Sequence, residues 1–298
     1  MKKILLIIVI GLVVLAVYSQ QSVKLEKAVH FSLDLPAIRA LATASNESLP
    51  QEIGLLQIAS IPYPSFFVLG TGGFDMIDLH AVSYQIRYPQ QYVIIDPVHD
   101  EQTHQELVGF GGYNTANAQL LQSMLPGASA IVVTHEHFDH AGGITASSQF
   151  AQIAPQVNLT TEQLSNEGHF ASGLSAEQKA LLQPLSYDQY YRLKPGIVLI
   201  KTPGHTPGSQ MIYVQRQDGE EFLFIGDIAW NFAIITEGQP HPHLTNWVVG
   251  EDGQQLAEQI AYLHQLHMDH PEIHIVAGHD KLQQAQYLRA GFFSQGMH

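Results

Sequence analysis

The sequence of 298 residues contains no cysteine. Disulfide bonds, cysteine-ligated zinc, iron–sulfur clusters and cysteine nucleophiles are therefore excluded. A lipoprotein anchor is excluded as well, because that attachment requires a cysteine. The absence does not identify a compartment, since it fits an exported protein and a cytosolic protein equally well.

Basic residues are also scarce in this chain. Thirteen Lys and Arg stand against 27 Asp and Glu, so the formal net charge is −14. Such a surface argues against nucleic acid and anionic membrane headgroups as partners, because both attract positive charge on a protein. We therefore expect no nucleic-acid partner, whereas a small neutral molecule is compatible with this charge.

The apolar run at the N-terminus is short for a membrane span. Lys2 and Lys3 precede an apolar run from Ile4 to Tyr18, which would extend about 22 Å as a helix against a hydrocarbon core of about 30 Å. Residues 1–19 are therefore interpreted as a signal peptide with cleavage after Ser19. We expect a protein that is exported, periplasmic or secreted, and an uncleaved membrane anchor is the alternative.

The remaining chain divides into an extension and one domain. Residues 20–60 show no strong periodicity and are interpreted as an N-terminal extension, and 61–298 as the domain. Strand patterns are predicted at 65–69, 80–88, 91–95, 130–134, 197–201, 210–215, 221–225 and 273–277. Helices are predicted at 115–125, 141–154, 252–268 and 281–290. Strand runs followed by helices, twice over, indicate an α/β fold of two sheets with helices outside.

One stretch, residues 134–143, concentrates titratable side chains at the end of a predicted strand. It reads Thr-His-Glu-His-Phe-Asp-His-Ala-Gly-Gly and directly follows the apolar residues Ala130 to Val133. Three imidazoles and two carboxylates within six positions are unusual unless a metal holds them. The stretch therefore predicts a metal site.

Three further segments run from an apolar strand into a glycine-rich turn that carries His or Asp. They end at His205, Asp227 and His279. The complete set of candidate ligands is His135, His137, Asp139, His140, His205, Asp227 and His279. Seven groups are too many for one catalytic zinc, which takes three plus water, but they suit two ions that share a carboxylate. We expect two divalent metal ions, with Zn²⁺ favoured and Fe or Mn as alternatives.

Together these motifs resemble the metallo-β-lactamase-fold hydrolases, and the resemblance extends from about residue 65 to residue 279. It implies a four-layer αββα sandwich with the site at one edge of the two sheets. It also implies that His135, His137 and His205 hold one ion, that Asp139, His140 and His279 hold the other, and that Asp227 bridges them. Asp139 and Asp227 would then be the catalytic carboxylates, and Asp96, at an earlier strand end, would orient ligands.

Within this family the sequence is most similar to the quorum-quenching N-acyl homoserine lactone lactonases. The similarity rests on Phe138 within the His-rich stretch and on the spacing of 22 residues from His205 to Asp227. Those lactonases carry a tyrosine three residues after the bridging Asp, where this chain has Trp230. A hydroxyl from Tyr113, Tyr187 or Tyr191 is the expected replacement.

Substrate contacts are expected from an apolar pocket and a lid. Residues 157–194 are long enough to fold over the site as that lid. The candidate pocket residues are Phe138, Trp230, Phe232 and His169, together with Trp247 as a further aromatic. Most of the remaining histidines, among them His99, His104 and His241, are expected to be solvated or to lie on helix faces.

The resemblance implies a hydrolase in which a hydroxide between two metals attacks the carbonyl of a lactone or carboxylic ester. Three alternatives stay open at this point. They are a glyoxalase II-like thioester hydrolase, a β-lactamase-like amide hydrolase and a mononuclear iron persulfide dioxygenase. Asp227 argues against the true β-lactamases. Glyoxalase II-like enzymes usually carry a basic C-terminal cluster for glutathione, and this tail has only Lys281 and Arg289, which argues against a glutathione thioester.

Overall fold

The computed structural model describes residues 17–25, 30–166 and 173–298. The strands are β1 Glu52–Pro64, β2 Met76–Arg87, β3 Tyr92–Ile95, β4 Gly112–Tyr113, β5 Ala130–Val132, β6 Val157–Asn158, β7 Tyr190–Lys194, β8 Ile197–Lys201, β9 Gln210–Gln215, β10 Glu221–Phe224, β11 Ile273–Val276 and β12 Ser294–Gln295. The helices are α1 Leu35–Ala42, α2 Ser65–Val68, α3 Glu101–Thr103, α4 Thr115–Met124, α5 Phe138–Thr145, α6 Phe150–Ile153, α7 Thr161–Ser165, α8 Ala176–Leu181, α9 Phe232–Glu237, α10 His243–Val249, α11 Gly253–Asp269 and α12 Lys281–Ala290. A π-helix, His104–Val108, follows α3 directly. Within these residues no helix has both the length and the apolar character needed to cross a bilayer.

The strands form two sheets. The first has the order β12-β1-β2-β3-β5-β6, with β4 paired to β1, and the second has the order β11-β10-β9-β8-β7. In the first sheet β3 and β5 are parallel. In the second sheet β10 and β11 are parallel, and β8 and β10 both run antiparallel to β9. The strands that precede the candidate ligands therefore end at the same edge within each sheet.

Alternating side chains place a core on each face of the sheets. Ile197 and Leu199 of β8 face the core between the two sheets, whereas Val198 and Ile200 face the outer core beneath α1 and α11. A third core lies beneath α4 and α5 on the outside of the first sheet. Period-two alternation on strands buried on both faces produces this arrangement. The fold is the four-layer α/β sandwich that the resemblance implied.

The expected boundary at residue 61 lies inside a strand. β1 begins at Glu52 and pairs with β2 along its length, with a bulge between Gln57 and Ala59. α1 also belongs to the domain, because its buried residues pack on the outer face of the second sheet. The proposed extension 20–60 therefore contributes to the domain core. Residues 1–16 of the predicted signal peptide lie outside the described residues.

Two secondary-structure predictions were wrong. The apolar run 65–69 forms the short helix α2, because Ser65 Oγ donates to the carbonyl of Gly73 and closes a loop there. Short apolar runs do not distinguish helix from strand by periodicity alone. The predicted helix 141–154 is divided into α5 and α6, which are separated by residues 146–149.

The segment predicted as a lid, 157–194, is built into both sheets. It begins with β6 at the edge of the first sheet and ends with β7 at the edge of the second. It contains α7 and α8, and both helices begin with the capping box. The described part of this segment therefore connects the two sheets and is not a separate cover.

Candidate metal centre

Three imidazoles and a carboxylate converge in the first ligand group. His137 Nδ1 lies 3.0 Å from His135 Nε2 and 2.9 Å from His205 Nε2. Asp227 Oδ2 lies 3.7 Å from His135 Nε2 and 3.4 Å from His205 Nε2. The four ligand atoms all lie within 4.8 Å of one another.

A second group lies on the other side of the same carboxylate. His140 Nε2 and His279 Nε2 are 3.3 Å apart, and they lie 3.2 and 3.1 Å from Asp227 Oδ1. Asp139 Oδ2 is 3.9 Å from His140 Nε2 and 3.6 Å from His279 Nε2. His279 Nε2 also lies 3.2 Å from Asp227 Oδ2, so the Asp227 carboxylate lies between the two groups and contacts both.

These separations fit bound metal ions. Tetrahedral ligands at about 2.0–2.1 Å from zinc lie about 3.3 Å apart, and the distances between the ligand atoms scatter around that value. Asp227 Oδ1 is buried, and the His140 and His279 nitrogens beside it form no hydrogen bond with it. A buried carboxylate oxygen without a partner is costly unless a cation neutralises it. The residues therefore fit one ion in each group, with Asp227 shared.

The electrostatics of the centre favour ionised carboxylates but differ among the imidazoles. Burial lowers the pKa of His135 well below its ordinary value, and His140 lowers it further. Burial would lower the pKa values of His140, His205 and His279, but the adjacent carboxylates raise them, so a metal bound there would displace protons. Burial would raise the pKa of Asp227, but the imidazoles of His279, His140 and His135 hold it well below its usual range. Neutral imidazole and carboxylate are the forms that bind divalent metals.

Asp96 orients the second group from the end of β3. Its Oδ1 accepts a hydrogen bond from the backbone N–H of Thr134 at 2.6 Å. Its Oδ2 accepts from Thr134 Oγ1 and lies 2.9 Å from His140 Nδ1. His140 Nε2 is thereby left to face Asp227. The backbone of Asp96 has a φ of 54°, a left-handed conformation that Asp adopts more readily than most residues.

Glu251 holds His205 in the same way, and sequence reasoning missed it. Its side chain is fully buried, and its Oε1 lies 2.7 Å from His205 Nδ1. Both of its oxygens lie 3.2 Å from Nδ1 of His241, which is buried as well. Burial would raise the pKa of Glu251, but the adjacent imidazoles of His241 and His205 lower it to about 2. No motif marks this glutamate, because it lies between α10 and α11, 46 residues after His205.

Glu136 joins the His-rich stretch to the turn that carries His205. It is fully buried, and Thr206 Oγ1 donates to its Oε2 at 2.7 Å. The Gly208 N–H and Asn166 Nδ2 donate to its Oε1. The sequence could have predicted this role, because a charged residue within a motif at a buried strand end requires hydrogen-bond or ionic partners.

Two glycines permit the close approach of the strand ends. Gly226 has a φ of 52°, and a Cβ there would lie 2.8 Å from Thr134 Cβ. A Cβ at Gly278 would lie 2.5 Å from Asp227 Oδ1. A larger residue at either position would therefore displace a strand end or the bridging carboxylate.

A cavity of about 390 Å³ opens onto the ligands. Two of the candidate pocket residues, Phe138 and Trp230, line it, and so do Tyr63 and Phe67, which the sequence did not single out. Its other lining side chains are mainly aliphatic: Ile61, Leu79, Leu107, Val108, Val248 and Val249. None of the described residues that line it is Lys or Arg, and none comes from 157–194.

The two other predicted pocket residues lie elsewhere. The Phe232 ring packs edge-on against His267 at 5.2 Å and lines a different cavity. Phe232 lies away from the ligands because it is the first residue of α9, where its N–H donates to Asp280 Oδ2. From that position its ring packs toward α11. His169 lies outside the described residues.

Tyr63 is the tyrosine of the described chain that lines the cavity. Burial raises the pKa of its phenol, and the charge of Asp139 raises it further. The three tyrosines named from the sequence lie outside this cavity. Tyr187 donates to Gln210 Oε1, Tyr191 packs against Tyr187, and Tyr113 donates to the carbonyl of His99.

Three of the histidines expected at the surface are buried. His99 and His104 stack at 5.4 Å, and His99 packs against Phe138. His241 packs against Trp230 at 4.7 Å. The expectation of solvated rings was therefore wrong for these residues, which pack behind the walls of the centre.

Comparison with known families agrees with this geometry. The family described as the metallo-beta-lactamase superfamily matches residues 77–274. That interval contains all of the candidate ligands except His279.

Curated relatives match a smaller part of the chain. An N-acyl homoserine lactonase from a Bacillus species is 30% identical over 103 residues, which cover 34% of this chain and 38% of that protein. The corresponding enzyme from Bacillus thuringiensis is 29% identical over 106 residues. The chain therefore matches well under half the length of these relatives.

Solved structures share the fold over most of the chain. A quorum-quenching N-acyl homoserine lactone lactonase superposes with a TM-score of 0.63 at 16% identity, covering 80% of this chain and 96% of that chain. At this identity the similarity concerns the fold.

Proposed function

Because the chain belongs to the metallo-beta-lactamase superfamily, we propose that it is a hydrolase with two divalent metals, most simply Zn²⁺, that opens lactones or carboxylic esters. The observation that carries the proposal is an apolar cavity whose floor is the ligand cluster and whose described walls have no Lys or Arg. Phosphodiesters and other anionic substrates need positive charge in the site. A neutral ester with an apolar acyl group fits these walls.

The chain's own residues would have distinct tasks. His135, His137 and His205 would hold one ion, and Asp139, His140 and His279 the other, with Asp227 between them. When bound, the two ions would supply Lewis acidity and a nucleophilic hydroxide at neutral pH.

The cavity wall would hold the substrate above these ligands. Phe67, Phe138 and Trp230 would exclude water from the acyl group, because their rings line the same cavity as the ligands. Tyr63 would donate a hydrogen bond from its phenol to the oxygen that gains charge as the carbonyl is attacked. Asp139 lies beside the same space and would accept or pass on a proton.

Trp230 is less suited to provide that hydrogen bond. Its ring packs on His241 and near Phe67, and its Nε1 is buried, so the indole N–H does not open onto the cavity. The structure therefore supports Tyr63 over Trp230 as the donor at the carbonyl oxygen.

A substrate panel tests this proposal. Purified protein would be assayed with acyl homoserine lactones, simple lactones, aryl esters, a thioester, a phosphodiester and a cephalosporin, with oxygen uptake on a glutathione persulfide measured in parallel. We expect turnover of lactones or esters, and no oxygen uptake. Exclusive turnover of the thioester, the cephalosporin or the persulfide would overturn it.

A further inference from the structure

Large apolar side chains surround the mouth of the cavity and are exposed to solvent. We name Leu107, Phe110, Trp247 and Val248 the mouth patch. Their exposed fractions are 65%, 50%, 81% and 56%. Leu107, Phe110 and Val248 also line the cavity, so the patch is continuous with its walls. An exposed apolar patch at a functional opening marks a contact surface.

The mouth patch comes from two separate elements. Leu107 lies in the π-helix and Phe110 just after it, whereas Trp247 and Val248 lie on α10. The segments 104–113 and 241–250 contain no Lys or Arg, and Glu106 is their one acidic residue. A surface of this kind has no attraction for anionic partners, and it suits an electrically neutral apolar one.

The N-terminal end of the described chain meets the same face. The Tyr18 ring stacks on His243 at 4.6 Å, and the His243 N–H donates to the carbonyl of Gln21 at 2.9 Å. Ser22 forms an isolated β-bridge with Pro242. The described N-terminal residues, from Val17 onward, therefore lie beside α10, the helix that carries half of the mouth patch.

We propose that the mouth patch docks on the surface of a zwitterionic lipid bilayer, so that the cavity opens toward the membrane. Trp is the side chain that best suits the headgroup region, because its ring is apolar and its N–H is polar. An apolar acyl lactone or ester would then enter from the lipid phase. Only the nature of that substrate rests on the proposed function, since docking follows from the surface itself.

The two tryptophans of the chain provide a direct test. Trp230 is 7% exposed and Trp247 is 81% exposed, so quenching by brominated lipid tails reports Trp247. The full chain would be mixed with phosphatidylcholine vesicles, with and without bromine on the acyl chains. We expect a blue shift and the loss of most Trp247 emission on the brominated vesicles. The Trp247→Phe variant should lose this quenching.

Matched variants separate the patch from apolar surface in general. Leu107→Glu and Val248→Glu should abolish the quenching. Met268→Glu and Leu282→Glu should leave it unchanged, because these exposed residues lie on α11 and α12 outside the cavity lining. Circular dichroism and bound metal would establish that each variant is folded.

Three results would overturn the inference. Sedimentation with vesicles but no quenching would mean that the N-terminal run binds lipid alone. Quenching in Leu107→Glu equal to that of the wild type would mean that the mouth patch does not contact the bilayer. A dimer that Trp247→Glu dissociates would make a second copy the occupant. None of these readouts requires turnover, so failure of the proposed reaction would be seen separately.

Discussion

At the scale of single residues, Asp227 has Oδ2 within 3.7 Å of His135 and His205, and Oδ1 within 3.2 Å of His140 and His279. We expect Asp227→Asn to bind fewer than two metals and to lose turnover, because an amide offers no negative charge to share between two cations. Elemental analysis of the purified variant measures this. Asp188→Asn, at an exposed position, is the matched control and should keep the wild-type metal content.

Tyr63 carries a prediction that separates donation from packing. In Tyr63→Phe the ring remains, and loss of a hydrogen bond to a charged oxygen costs about 1.5–3 kcal/mol, or roughly 10- to 100-fold in kcat. Metal content should not change. Steady-state kinetics on a lactone substrate measures the effect, with Tyr113→Phe as control because that hydroxyl lies outside the cavity. An unchanged kcat in Tyr63→Phe would remove this residue from the reaction.

Glu251 is expected to act on the metal through His205. Glu251→Gln keeps the shape but weakens the acceptor for His205 Nδ1, and loss of such a partner lowers metal affinity by about 10- to 100-fold. Competition with a chromophoric chelator measures this for the first ligand group. Glu258→Gln, on α11, should bind metal like the wild type, because that carboxylate accepts from the backbone N–H of His30 and not from a candidate ligand.

The same glutamate gives the metal-free protein a defined acid dependence. Its ordinary pKa is 4.5 and the folded pKa is about 2. A lowered folded pKa adds stability above pH 4.5 that is lost as the pH falls toward 2, a contribution on the order of 3 kcal/mol. Urea unfolding of metal-depleted protein between pH 5 and pH 3 should therefore show a smaller acid loss for Glu251→Gln than for the wild type. An equal loss of stability with falling pH in the wild type and in Glu251→Gln would contradict this role of Glu251.

At the scale of elements, the strand ends must approach each other closely. We expect Gly226→Ala to destabilise the protein by about 1–2 kcal/mol because alanine disfavours the positive φ at this position. The close contact of the added Cβ with Thr134 should increase that loss. Gly219→Ala is a matched control, because it also has a positive φ but nothing lies within 4 Å of its added Cβ. Thermal unfolding of the two variants measures the difference. Equal losses of stability in Gly226→Ala and Gly219→Ala would mean that the contact with Thr134 is unimportant.

The elements also show what a sequence can predict. His135, His205, Asp227 and His279 follow apolar strands in polar turns, and that local pattern alone predicted that they would meet. The run 65–69 has no such pattern, so its helix was missed. The sequence did not predict that 157–194 begins and ends with the sheet strands β6 and β7, because these are short edge strands whose pairing depends on distant partners.

At the scale of the whole molecule, the convergence of the candidate ligands was predictable and the cavity was not. Ligands are recognised by residue type and by their position after strands. The cavity walls are assembled from β1, the π-helix and α10, which are separated by many residues and carry no motif. Tyr63, Leu107 and Val248 come together only through the tertiary fold, and Glu251 reaches His205 in the same manner.

The central claim is that turnover of a lactone or ester requires two metals. Chelator-treated protein would be titrated with Zn²⁺ while hydrolysis of a lactone substrate and bound metal are followed together. We predict no activity without metal and full activity at two equivalents per chain. Full activity at one equivalent, or activity that survives complete removal of metal, would contradict the account.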